Sequence, residues 1–181
     1  MILITTSRRP AKRTRTFIRD LSRVIPRSVR TNRGKKSVKD LCDLALGFGF
    51  NRILVVGSKR GNPSDLNFYS AELSGFDYIG TLKVKNVTLR REMTTRRAPT
   101  MNDITIIRLD AKEESDQVAK ILEEGLNIEV KKDEEDINEA YKTYDCGVLI
   151  KTSESGVKIT FQYLPTNVEL GPRITVKEVV K

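Results

Sequence analysis

The sequence predicts an α/β fold in two halves, residues 1 to about 90 and about 103 to 181, and three observations carry that expectation. Short apolar runs bounded by polar residues alternate with segments whose apolar residues recur at helical spacing, as strands and amphipathic helices do. The alternation fills the first sixty residues, then starts afresh at "ITIIRL", residues 104–109. Between them "RREMTTRRAPTMND", residues 90–103, is a polar, basic connector too short to make the halves independent.

Taken in order, "MILIT" is a buried strand at 2–6. From Thr14 the spacing turns helical: Phe17, Ile18, Leu21, Val24 and Ile25 share one side until Pro26 ends the helix by disfavouring helical geometry at Ile25. "SVRTN" at 28–32 is a short strand. A second helix starts at Ser37, where Ser37 and Asp40 have the spacing of a capping box, and weakens at Gly47 and Gly49. "RILVVG" at 52–57 is a strand and "SKRGNPSD" at 58–65 a loop by its Gly, Pro and Asn. "LNFYSAEL" at 66–73 and "DYIGTLKVKNVTLR" at 77–90 are extended, with a bulge where the alternation changes phase near Asn86.

The second half offers a strand at 104–109, a helix around 114–124 ended by Gly125, and a short strand "IEVKK". The helical segment "DEEDINEAYKTY", a hairpin of "CGVLIKT" and "VKITFQYLP", and a last strand in "GPRITVKEVV" follow.

At 181 residues with 38% apolar and 31% charged residues, the chain is long enough to bury a core. No histidine is present, which removes the commonest general base and the usual zinc ligand. Cys42 and Cys146 stand far apart in apolar contexts and read as small buried hydrophobes, without metal or redox chemistry. The acids of "DEEDINE" lack the spacing of a calcium loop, so neither metal, cofactor nor catalytic residues are expected. "MILITTSRRP" is too short for a signal peptide and no run approaches the roughly 18 to 20 apolar residues of a membrane span. A soluble cytoplasmic protein is expected, with no membrane partner.

The charge is unevenly placed. Residues 1–39 hold 13 Lys or Arg and one acid, Asp20, leaving 20 bases and 23 acids for the rest of a chain whose net charge is +9. Such asymmetry points to a polyanion, and without an apolar amphipathic partner segment to nucleic acid more than to a membrane. On a helical wheel with Phe17 at zero, Arg15, Arg19 and Arg23 fall at roughly 160°, 200° and 240°, opposite the apolar side. An ordinary solvated face would mix signs to gain i,i+4 pairs, and here only Asp20 does. Arginine outnumbers lysine nine to four in residues 8–39, and a planar guanidinium suits phosphate better than a point charge does. Arg8, Arg9, Lys12 and Arg13 precede this helix and Arg27, Arg30, Arg33, Lys35 and Lys36 follow it, flanks that could form one surface, with Arg8 to Arg13 and Arg30 to Lys36 as segments that could order on RNA. Lys59 and Arg60 either extend the surface or cap a loop. Arg90, Arg91, Arg96 and Arg97 make either a second RNA contact or a solvated connector. The aromatic residues lack the spacing of a base-stacking sheet and read mostly as core.

Three ordered motifs carry a family resemblance. Thr6-Ser7-Arg8 with the Arg/Phe helix, Pro26 and Asn32-Arg33-Gly34-Lys35, then "GNPSDL" at 61–66, then "VELGPRITVKEV" at 168–179, resemble the Brix-domain family of ribosome-biogenesis proteins across essentially the whole chain. The long acidic or basic extensions of eukaryotic members are missing, as in a minimal archaeal member of the small-subunit-processing branch. The resemblance implies one Brix domain over residues 1–181, made of two related α/β halves like a duplicated anticodon-binding domain of class II aminoacyl-tRNA synthetases. It implies a non-enzymatic factor in rRNA processing and assembly that binds ribosomal RNA or pre-rRNA, alongside other assembly proteins. The RNA-facing residues it implies here are Arg8, Arg9, Arg13, Arg15, Arg19, Arg23, Arg33, Lys35 and Lys36. Two other readings of the basic tract are a protein-binding scaffold in pre-ribosomal particles without RNA contact, and an RNA-modifying enzyme. Glu169 to Arg173 reads as architectural, with Gly171 and Pro172 shaping the entry to the last strand and Arg173 paired internally.

Overall fold

In the computed structural model, which describes residues 2–95 and 99–181, the first apolar run forms β1 (Ile2–Thr6) with all five residues buried. A strand covered on both sides has to be apolar without alternation. Ile2 and Ile4 pack with helix α1 (Lys12–Val24), whereas Leu3 packs on the other side with α2 (Val38–Gly47). β2 (Ser28–Arg30) and β3 (Arg52–Lys59) flank β1, both parallel to it. β4 (Asn62–Glu72) and β5 (Gly75–Thr88) extend the sheet antiparallel.

The second half repeats this plan with β6 (Ile104–Arg108), α3 (Glu113–Leu126), β7 (Val130–Lys131), α4 (Glu134–Thr143), β8 (Cys146–Ser153) and β9 (Gly156–Tyr163). A two-residue strand, β10 (Val168–Glu169), pairs with the end of β9 before β11 (Arg173–Val180) completes the set. β7 and β8 flank β6 in parallel, and β9 and β11 follow antiparallel. β5 pairs antiparallel with β11, so both halves share one sheet in the order β2-β1-β3-β4-β5-β11-β9-β8-β6-β7. Outward from that central pair, the strand roles recur in the same order on either side. The fold is therefore α/β with two related halves, as expected.

α1 and α3 lie on one face of the sheet, over a single core that includes Phe17, Leu21, Phe68, Leu82, Ile121, Val148 and Ile174. α2 covers the far end of the opposite face over Leu3, Ile53 and Val55, and α4 the other far end over Ile107 and Leu149. Ser37 and Asp40 make the expected capping box: the Ser37 hydroxyl accepts from Asp40 N at 3.1 Å and Asp40 accepts from Ser37 N at 2.7 Å. The bulge near Asn86 is present, since one step on β11 from Thr175 to Val176 spans two on β5 from Asn86 to Val84.

Several boundaries differ from the sequence expectation. α1 starts at Lys12, two residues before Thr14. The segment 58–65 is a hairpin and not a loop: Arg60 and Gly61, with φ of 49° and 83°, make the two-residue turn whose twist matches antiparallel strands. Pro63 is tolerated because β4 there pairs only with β3, its register with β5 beginning at Asp65. Gly125 does not end α3 but lies inside it. A Cβ at that position would be 2.4 Å from Cδ1 of Phe68, so the glycine lets the helix lie against the ring, and Asn127 with φ 55° ends the helix instead. Phe48, Phe76 and Tyr78 are exposed and not core, the last two grouped around Tyr69.

Candidate nucleic-acid interface

Parallel strands aim their carboxyl ends at one edge, and three basic loops leave that edge. Arg8 and Arg9 follow β1, Arg33, Lys35 and Lys36 follow β2, and Lys59 and Arg60 close β3. In open α/β sheets this crevice beyond the carboxyl ends is where ligands meet the fold. Arg8, Arg9, Lys35, Lys59 and Arg60 are exposed, Lys36 is half-buried, and Arg33 is buried. These loops are tied down and are not free arms, contrary to the sequence expectation. Ser7 N donates to Val56 O at 2.8 Å, Thr31 N to Ile4 O at 3.0 Å, the Thr5 hydroxyl to Thr31 O at 2.9 Å, and Ala11 N to Ser58 Oγ at 3.2 Å.

A second cationic surface follows α1. Thr14, Phe17, Ile18, Leu21 and Val24 are buried, so the 3.6-residue period leaves Arg15, Arg19 and Arg23 exposed along one stripe. Arg13 does not join them. Its guanidinium forms an ion pair with Glu92 and donates from Nη2 to Val87 O at 2.8 Å, fastening α1 to the end of β5. Glu92 holds the Arg13 charge in place and raises its pKa. Arg13 is thus engaged as a clamp within the fold.

The lone acid of the tract turns inward. Asp20 is 4% exposed, and its Oδ2 accepts from Arg90 N at 3.1 Å, which brings the connector after β5 against α1. Burial raises its pKa, opposed by that hydrogen bond and by Arg23, Arg19 and Arg90. A carboxylate with a raised folded pKa favours folding most below its unfolded pKa, and that contribution is lost as pH rises through the folded value. Asp20→Asn keeps an acceptor for Arg90 N. Chemical denaturation from pH 3 to pH 7 should therefore show a flatter pH dependence for the variant, with relative stability gained toward pH 7.

Between α1 and the connector opens a groove of about 960 Å³. Arg19, Asp20 and Arg23 line it from α1, Arg27 from the turn after α1, and Arg90 and Arg91 from the connector. Arg91 is exposed and Arg90 buried, which separates two residues that look equivalent in sequence. Arg96 and Arg97 lie outside the described residues. Arg27, which the sequence places in the flank after the helix but not among the RNA-facing residues, belongs to this groove. It directly follows Pro26 and has φ 53°, a left-handed turn that ends the α1 connection beside the groove. Two clusters therefore emerge from one basic tract, one at the strand ends and one along α1.

Elsewhere, Arg173 pairs with Glu169 through Nε to Oε1 at 3.0 Å and Nη2 to Oε2 at 2.6 Å, the internal pairing that an architectural role requires. Cys42 and Cys146 are both buried and unbridged, and burial pushes the Cys146 thiol up to about 12. No group of three or more potential metal-ligating side chains occurs among the described residues, and no described helix is long and apolar enough to cross a membrane.

No model of a known family matches the chain. Individual relatives do. Over 103 residues, 57% of this chain, it is 39% identical to a "Probable Brix domain-containing ribosomal biogenesis protein" of Thermococcus kodakarensis, and over 90 residues 44% identical to a protein of the same description from Aeropyrum pernix. The crystal structure of a probable ribosomal biogenesis protein from Aeropyrum pernix K1 superposes with a TM-score of 0.78 at 30% identity, covering 99% of this chain and 98% of that one. The chain belongs to the Brix-domain family. A second neighbour in fold, the crystal structure of an archaeal Imp4-like protein, covers the chain completely with a TM-score of 0.71 at 22% identity. This Brix-family chain spans about half the length of the curated relatives it matches.

Proposed function

We propose that the chain acts in ribosome biogenesis as an rRNA-binding factor, with residues 1–181 working as one Brix domain. Its first half grips RNA phosphates through Arg15, Arg19, Arg23, Arg27 and Arg91 on the α1 side, and through Arg8, Arg9, Lys35 and Lys36 at the strand ends. Lys59 and Arg60 extend the second group. One observation carries the reading: Arg19, Arg23, Arg27 and Arg91 line a single groove whose one acid among the described lining residues is Asp20. Arginines held this way on a folded surface keep their charge for a ligand, at the cost of mutual repulsion that a polyanion relieves. The names of the relatives place the matched proteins in ribosomal biogenesis, which supplies the RNA class.

Salt titration tests it. Binding of a single-stranded rRNA fragment should weaken as log salt rises, with a slope of about −0.7 for each phosphate neutralised. Four to six contacts give a slope of roughly −3 to −4. A flat titration, or affinity no greater than that of a neutral control protein, rejects the phosphate grip and favours the scaffold reading, in which the same cations meet acidic proteins.

A further inference from the structure

One cation at the strand ends differs from the rest. Arg33 is only 9% exposed, and neither its Nε nor its Nη1 has a hydrogen-bond partner among the described residues. A buried guanidinium without a partner is a costly arrangement, and folds keep one where something else completes it. The neighbours do not. Asp40 is the acid whose field reaches Arg33, but it is exposed, forms no ion pair with it among the described residues, and gives its carboxylate to Ser37 N. Arg8 is near enough to repel Arg33, and with burial it works against the charged form, while the Tyr69 phenol offers only a weak attraction.

The surrounding backbone holds this geometry. Lys36 N donates to Arg33 O at 3.1 Å, Gly34 takes φ 54°, and Lys36 Nζ donates to Asn32 O at 3.4 Å, so the chain turns tightly after Arg33 and leads into the amino terminus of α2. Two guanidiniums in mutual repulsion, one of them buried with unpartnered donors, on loops of which one leads into the amino terminus of α2, call for an anion to complete them. We infer that Arg33, with Arg8 beside it, is the floor of a discrete site for one phosphate group.

The phosphate has two sources, a backbone phosphate of bound RNA or the free anion. The first source rests on the proposed RNA function, whereas the site itself does not. Thermal melting of the full chain in sodium chloride and in inorganic phosphate at matched ionic strength decides the site. Phosphate should raise the wild-type Tm by about 2 °C or more beyond chloride. In Arg33→Met that rise disappears, and in chloride the variant melts no lower than wild type because it has lost a buried, unpartnered charge. Arg8→Gln, at an exposed position, should fold normally and shrink the rise. A full phosphate response in either variant overturns the proposal. RNA binding then identifies the source: a loss of about tenfold in Arg33→Met, the size of one charge-assisted bond, assigns the phosphate to RNA. Unchanged RNA affinity with the response lost assigns it to the free anion. Should wild type bind no RNA at all, the proposed function fails and the melting result still stands.

Discussion

Arg19→Glu, Arg23→Glu and Arg91→Glu combined should lower affinity for an rRNA fragment by a hundredfold or more, while Tm moves by only a few degrees. The first number follows from the groove. Each arginine can make charge-assisted bonds worth about 1.5–3 kcal/mol, and reversal adds repulsion where attraction stood, so even strongly non-additive losses exceed the 2.7 kcal/mol of a hundredfold change. The second follows from exposure: all three side chains are on the surface, and their backbone stays in α1 and in the turn after β5. Losing Arg23 from the last turn costs α1 only about 0.3–1 kcal/mol of dipole interaction. A control reverses Lys151, Lys158 and Lys177, exposed lysines of the second half, for the same change in net charge. Filter binding or fluorescence anisotropy should separate the two sets by at least tenfold. Equal losses would mean that overall charge, and not the groove, governs binding.

Phe68→Ala should cost about 3–5 kcal/mol, the range for emptying a buried aromatic site. Phe68 is 1% exposed on β4, and its ring lies under α3, where Gly125 has no Cβ to displace it. Removing the ring takes away core atoms of the first half and the seat of a helix of the second half together. At the sensitivity of a chain this size, roughly 2–4 °C per kcal/mol, Tm should fall by about 10 °C. Urea denaturation followed by circular dichroism measures the loss. A change below 1 kcal/mol would show that α3 can collapse onto the space.

Most elements were legible because their signals are local. The apolar run of β1, the spacing of Phe17 to Ile25, and the Ser37 and Asp40 pair each lie within a dozen residues. Gly125 was misread because its reason is Phe68, 57 positions away in sequence, and nothing near the glycine announces that ring. Segment 58–65 was misread because Gly, Pro and Asn mark a tight hairpin and an open loop alike, and only the pairing with Leu66 onward decides. In the site, the stripe of Arg15, Arg19 and Arg23 follows from helical period alone. What period cannot supply is the partner of each charge. Arg13 looks equivalent to Arg15 until Glu92, 79 positions on, claims it, and Arg90 looks equivalent to Arg91 until Asp20 draws its backbone inward. Arg33 and Lys35 stand two positions apart in one basic turn, and nothing in the sequence tells that the first is buried and the second exposed.

The β5–β11 pairing has a consequence for how the molecule is made. Residues 81–88 wait for residues 173–180, so the middle of the sheet stays open while more than eighty further residues are synthesised. Until β11 arrives, β5 shows an unpaired edge of the kind that invites association with other chains. A nascent first half therefore already carries its arginines while its sheet is unfinished, and the sheet cannot be sealed before β11 has been synthesised.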